Sequence, residues 1–214
     1  MGLDLPKKLA IFLSLSIAGC SSLNNPVLQT VNRVTGINSS QQGSHFDPHF
    51  KFLRVVIDGR VVYPALGNID NGTEVWYSAT REVLRIKDGR IVGTSGMFFE
   101  WRNVVLPEFP SWSVLAKSDL PFSWMRMRDV MPGYRYGIED HLVLRRIAAP
   151  GNSQLAGIAP EKLVWFEEDD ISSADALPPA RYAYDPAKRK IVYGETCLAP
   201  TFCFSWQRWP EGSQ

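Results

Sequence analysis

Glu82-Val83-Leu84-Arg85-Ile86-Lys87-Asp88-Gly89-Arg90-Ile91-Val92-Gly93-Thr94 decides how this chain folds. Two runs rich in Val, Ile and Leu, with charged residues interleaved, flank an Asp-Gly pair. Glycine accepts a positive φ without a Cβ clash and aspartate tolerates it better than most, so the pair marks a tight β-hairpin turn. The same signal recurs where Asp58-Gly59 separates Phe50–Ile57 from Arg60–Tyr63, and Asn71-Gly72 precedes the run Thr73–Ala79. The first two hairpins resemble each other as a weak repeat. Further strands are expected at Phe122–Val130, Tyr134–Ile147, Lys162–Glu167, Ala180–Tyr184 with Lys190–Thr196, and Phe202–Trp209. No long helical pattern follows Phe50. Many short strands with frequent turns define a mainly β fold, an antiparallel β-barrel or sandwich-like single domain.

Upstream of that domain the chain changes character. Lys7 and Lys8 precede Leu9–Ala18, an apolar run about ten residues long. That length suits a signal-peptide core and is too short for a bilayer span, which needs roughly twenty residues. The run ends in Ile17-Ala18-Gly19-Cys20, which looks like a lipobox, with small residues that let a peptidase reach the backbone. Residues 1–19 are therefore expected to be removed as a lipoprotein signal peptide. Cys20 would then carry lipid, and two or three acyl chains (palmitate among them) hold a protein stably at a membrane. Residues 20–48 are polar and read as a tether, with Val27, Leu28, Val31 and Val34 at the spacing of a short amphipathic helix. Fully extended at about 3.3 Å per residue, this tether reaches roughly 90 Å. Residues 49–214 form the β domain.

Composition narrows the function. The chain has 214 residues, 45% of them hydrophobic, enough for one domain with a core. Of 23 basic and 22 acidic residues, Lys7, Lys8 and Asp4 leave with the signal peptide, so the remainder carries no formal net charge. No basic excess exists to drive nucleic-acid binding. With Cys20 lipidated, Cys197 and Cys203 are the remaining thiols. In an oxidising compartment a disulfide between them is expected, with two separate buried thiols as the alternative.

Catalytic and metal signatures are weak. His45 and His49 are spaced as helical metal ligands, but Pro48 lies between them and argues against a helix. Glu139-Asp140-His141 would be split between opposite faces of a strand. Glu167-Glu168-Asp169-Asp170 lacks the spacing of a calcium loop and reads as a solvated turn. Gly-x-Ser-x-Gly is absent from the sequence. No metal, cofactor or catalytic residue is assigned. The aromatics carry more: among 7 Trp and 7 Tyr, Trp124 alternates with Arg126 and Arg128 and shares their side. That makes the three a candidate glycan- or partner-facing surface, with Trp206 and Trp209 as a second candidate contact. Stacking of sugar CH faces on such rings, with nearby polar groups bonding the hydroxyls, is the chemistry in view.

Several of these segments together resemble the YjbF/GfcB family of capsule and exopolysaccharide lipoproteins. The resemblance runs through Glu74-Val75-Trp76-Tyr77-Ser78, the hairpin Leu84 to Met97, Trp124-Met125-Arg126 with Asp129, and Tyr134-Arg135-Tyr136-Gly137. It closes with Ala180-Arg181-Tyr182-Ala183-Tyr184-Asp185 and Ile191-Val192-Tyr193-Gly194-Glu195. The family's closing hairpin usually continues into a Ser-x-Gln stretch, whereas Cys197 and Cys203 occupy that neighbourhood here. The resemblance implies a β-barrel-like domain and, with Ser21-Ser22 after the cysteine, the periplasmic face of the outer membrane. It implies a non-enzymatic part in polysaccharide secretion or biofilm formation, with polysaccharide and export proteins as partners. An envelope assembly factor binding an outer-membrane channel, and a carbohydrate-active enzyme, are the alternatives.

Overall fold

The computed structural model describes residues 46–172 and 176–209; the lipidation expected at Cys20, the helical spacing at Val27–Val34 and His45 lie outside them. The described chain forms one antiparallel sheet. Its strands are β1 (Phe52–Ile57), β2 (Arg60–Val62), β3 (Ala65–Asp70), β4 (Thr73–Tyr77), β5 (Val83–Lys87), β6 (Arg90–Ser95) and β7 (Glu100–Val105). After a single helical turn, α1 (Trp112–Leu115), come β8 (Phe122–Met131), β9 (Arg135–Ile147), β10 (Val164–Asp170), β11 (Ala180–Asp185), β12 (Lys190–Ala199) and β13 (Phe202–Trp209). The sheet order is β6-β5-β4-β3-β1-β13-β12-β11-β10-β9-β8-β7, with β2 beside β1. The sheet curls into a nearly closed barrel, the first of the two expected architectures. Its last edges approach where the Trp101 N–H donates to Thr94 Oγ1 at 2.9 Å.

The turns behave as their residues dictate. Asp58 and Gly59, Asn71 and Gly72, and Asp88 and Gly89 all adopt positive φ. Both central residues of a two-residue hairpin then match the strands' right-handed twist. At β11–β12, the Asp185 carboxylate accepts the Ala187 and Lys188 N–H groups.

Side chains alternate between two apolar clusters. Inside the barrel lie Leu53, Trp76, Leu84, Trp101, Leu144, Phe166, Ile191, Phe204 and Trp206, each nearly without solvent exposure. The β7–β8 connection turns inward, and Trp112 and Leu115 of α1 join that interior as a plug. A smaller cluster sits on the outer wall, where Leu155 and Ile158 of the β9–β10 connection cover Leu163, Trp165, Val192 and Tyr193. Gln207 fastens this strap, its side chain donating to Ala156 O and accepting the Ala156 N–H. Gly194 is required where it stands, because a Cβ there would lie 2.7 Å from the Trp206 ring.

Antiparallel register fixes two ends. The lower end holds the start of β1, the end of β13 and the plug. Phe46 packs there on Phe52 and Tyr63, so the β domain takes in residues at least three positions before the expected boundary at 49. The upper end holds the β1–β2, β6–β7, β8–β9 and β12–β13 turns.

Candidate functional site

Residues Trp124, Arg126 and Arg128 do share one side of β8, and that side is the barrel interior. All three are under 9% exposed, so the expected sugar-facing surface is an interior one. The reason is Asp140, wholly buried on the paired strand β9. Its carboxylate accepts Arg126 Nε and Nη2 at 2.7 Å and Arg128 Nε at 2.8 Å. Two arginines are thereby carried inside by charge-assisted bonds, with the Trp101 ring centroid 4.5 Å from the Arg126 guanidinium. Glu139 and His141, the neighbours of Asp140, point outward, as strand alternation requires.

A second buried acid lies lower in the same interior. Glu168 accepts Trp124 Nε1–H and the Tyr182 hydroxyl, both at 3.1 Å. Burial first, and then the neighbouring Glu168 charge, push the Tyr182 hydroxyl well above its usual range, so it stays a donor. Arg90 approaches Glu168 at 3.9 Å, and its Nε and Nη2 have no hydrogen-bond partner. Aromatic faces surround it instead: its guanidinium carbon is 3.6 Å from the Phe109 ring centroid and 4.1 Å from that of Trp112. Desolvation lowers the Arg90 pKa, and the Glu168 charge opposes that shift.

Glu167-Glu168-Asp169-Asp170 is the last part of strand β10, not the expected solvated turn. Its outward acids pair with arginines of adjoining strands: Glu167 with Arg145 and Arg181, Asp169 with Arg145. Cys197 and Cys203 face each other across β12 and β13 and form a disulfide. Trp206 is part of the interior core. Trp209 is half-buried at the lower end beside Tyr63.

Sequence reasoning missed the concave site at the upper end. A pocket of about 190 Å³ is walled by Val55, Ile57, Val62, Leu84, Met97 and Phe202, with Phe98 exposed beside it. Its polar groups serve one another. Glu82 accepts the Ser78 and Thr80 hydroxyls, and Ser78 Oγ accepts the Glu82 N–H. Each wall residue is ordinary in its own strand or turn, and only the barrel's curvature brings them together.

These features define a single-domain, nearly closed antiparallel barrel with a plugged, internally paired interior and an apolar pocket at one mouth. The chain is similar in structure to the hypothetical lipoprotein YmcC from Escherichia coli (K12), with a TM-score of 0.63 at 15% identity, covering 87% of this chain and 97% of that one. The likeness establishes a fold shared with a lipoprotein. No protein-family model matches the sequence, and no curated protein matches it.

Proposed function

We propose that this protein is a lipid-anchored member of the YjbF/GfcB family, held through Cys20 at the periplasmic face of the outer membrane. There it serves capsule or exopolysaccharide secretion as a non-enzymatic accessory. One geometric observation carries the reading: Phe46 and the start of β1, which follow the tether in the sequence, lie at the lower end, while the pocket lies at the upper end. The upper mouth, with Phe98 and the β8–β9 tip residues Tyr134 and Tyr136 exposed, lies away from the end at which the tether enters and is open to other envelope components. The lipobox and the fold shared with a solved lipoprotein support the anchor. The resemblance in its sequence segments supports the secretion role.

The test is crosslinking of the native lipidated protein in its host, followed by mass spectrometry. Capture of polysaccharide-export components is the expected result. Capture of outer-membrane barrel-assembly proteins alone would remove the polysaccharide role. Release of reducing ends from a glycan, abolished by changing one carboxylate, would replace the accessory reading with an enzymatic one.

A further inference from the structure

Strand β2 has a neighbour on one side only. Its register on β1 (Ile57↔Arg60, Val56↔Val61, Val55↔Val62) continues through Tyr63-Pro64 into β3 (Phe52↔Ala65). From Ala65 onward β4 covers the outer edge of this long strand, but β4 stops at Tyr77, opposite Ala65. Above that level, among the described residues, no strand lies against β2. The barrel wall therefore has a notch between β2 and the β6–β7 turn, and the apolar pocket occupies it, with Val62 and Pro64 on one side and Gly96, Met97 and Phe98 on the other.

Hydrogen bonding in the notch follows from the turn. Ile57 and Arg60 close the two-residue Asp58-Gly59 loop and bond to each other, so the next pair, Val56↔Val61, is a non-bonded one. The Val61 N–H and C=O consequently point to the open edge. The pocket supplies mainly apolar contact, and its polar side chains Ser78 and Glu82 bond to each other. A free strand edge beside an apolar pocket matches an extended peptide, which uses both; a hydrocarbon chain would use only the pocket. The pocket's volume exceeds the roughly 150 Å³ in which an apolar cavity holds benzene, so one bulky side chain fits. Arg60, which opens β2, and Arg81, in the β4–β5 turn, are exposed and, among the described residues, enter no ion pair; Asp58 is the one exposed acid between β1 and β2, and Glu82, in the pocket lining, is held by Ser78 and Thr80.

We propose that the notch receives an extended segment of a partner protein, which adds a strand to β2 and seats one bulky apolar side chain in the pocket. Acidic residues flanking that side chain face Arg60 and Arg81. This docking mode stands whether or not polysaccharide secretion is the protein's task.

The probe is a seven-residue peptide alternating Val and Thr around a central Phe, with Asp at both ends, titrated into the full mature chain. Amide hydrogen exchange and binding affinity are followed together. Protection of the Val61 amide on peptide addition is expected. Val61→Pro, which removes the edge N–H while leaving the β1 ladder intact, should weaken binding at least tenfold without lowering thermal stability. Val62→Asp should abolish binding, and Lys in place of the terminal Asp residues should weaken it severalfold. Failure of the probe to bind at millimolar concentration, or binding indifferent to Val61→Pro, overturns the proposal. Val61 protected in the peptide-free chain also overturns it: concentration-independent protection assigns the notch to residues 20–45, and concentration-dependent protection assigns it to a second copy.

Discussion

The Arg90 guanidinium lies 3.6 Å from the Phe109 ring centroid, joining a barrel strand to the plug that closes the lower end. Arg90 lacks hydrogen bonds at two of its nitrogens, and a desolvated cation over an aromatic face gains about 2 kcal/mol. Plug and arginine thus depend on each other. Without Phe109 and Trp112 the cation loses its two nearest rings and keeps only Glu168 at 3.9 Å and the more distant Trp124 and Tyr182 rings. Without the cation, Phe109 and Trp112 lose their electrostatic reason to turn inward.

Removing the larger ring should show this dependence. Trp112→Ala deletes a buried indole and its bond to Asp88 O at 2.7 Å, and is expected to cost about 3–5 kcal/mol. Urea denaturation measures it. A midpoint unchanged from wild type would mean that the plug contributes nothing to the barrel.

Asp140 balances two buried arginines, so Asp140→Asn should be among the most damaging single changes, at about 3–5 kcal/mol. Replacing all three together (Arg126→Met, Arg128→Met, Asp140→Leu) should restore most of that loss, because no charge is then stranded. If the triple variant melts lower than Asp140→Asn, the network does more than neutralise itself.

Alkaline pH should weaken the fold through two tyrosines. Burial raises the hydroxyl pKa of Tyr182 and of Tyr193 above the ordinary 10.0, each aided by a glutamate partner, Glu168 or Glu195. The folded state keeps these protons while the unfolded chain releases them above pH 10. Their stabilisation is therefore complete below pH 10 and is lost as pH rises, at about 1.4 kcal/mol per pH unit for each tyrosine. Tyr182→Phe should flatten the slope of stability against pH between 10 and 11; an unchanged slope would show that Tyr182 titrates normally.

Gly194 faces Trp206 across paired strands. Gly194→Ala should cost about 1–3 kcal/mol by forcing the indole out of its rotamer. The companion Trp206→Phe should relieve part of that clash, and a thermal melt of the pair reads the coupling.

Much of this was legible in the sequence, and its gaps have physical causes. Asp88-Gly89 and Asp58-Gly59 announced their hairpins because positive φ restricts the residues a turn accepts. Strand β3 (Ala65-Leu66-Gly67-Asn68-Ile69-Asp70) was missed because it is mostly exposed, so no apolar alternation marks it. Strand β7 was missed because only Glu100 and Trp101 are buried in it. Alternation correctly grouped Trp124, Arg126 and Arg128, but it gives a side without saying which way that side faces. Two arginines on one face suggested solvent; Asp140, on another strand, turned that face inward. Glu168 misled for the same reason, since a run of four acids gives no hint that one is matched by Trp124 and Tyr182.

The seam between β1 and β13, where Phe52 meets Trp209, bears on how the barrel comes into being. Most other strand neighbours are consecutive in the chain and assemble as local hairpins. This joint unites the first strand with the last, so its loop-closure entropy is the largest in the molecule and is met only when β13 is available. A chain emerging in order, from a ribosome or through a translocation channel, therefore stays an open ribbon until its final strand appears. Closure is expected late, and until then the β13-facing edge of β1 stays unpaired and open to anything that pairs with a free strand.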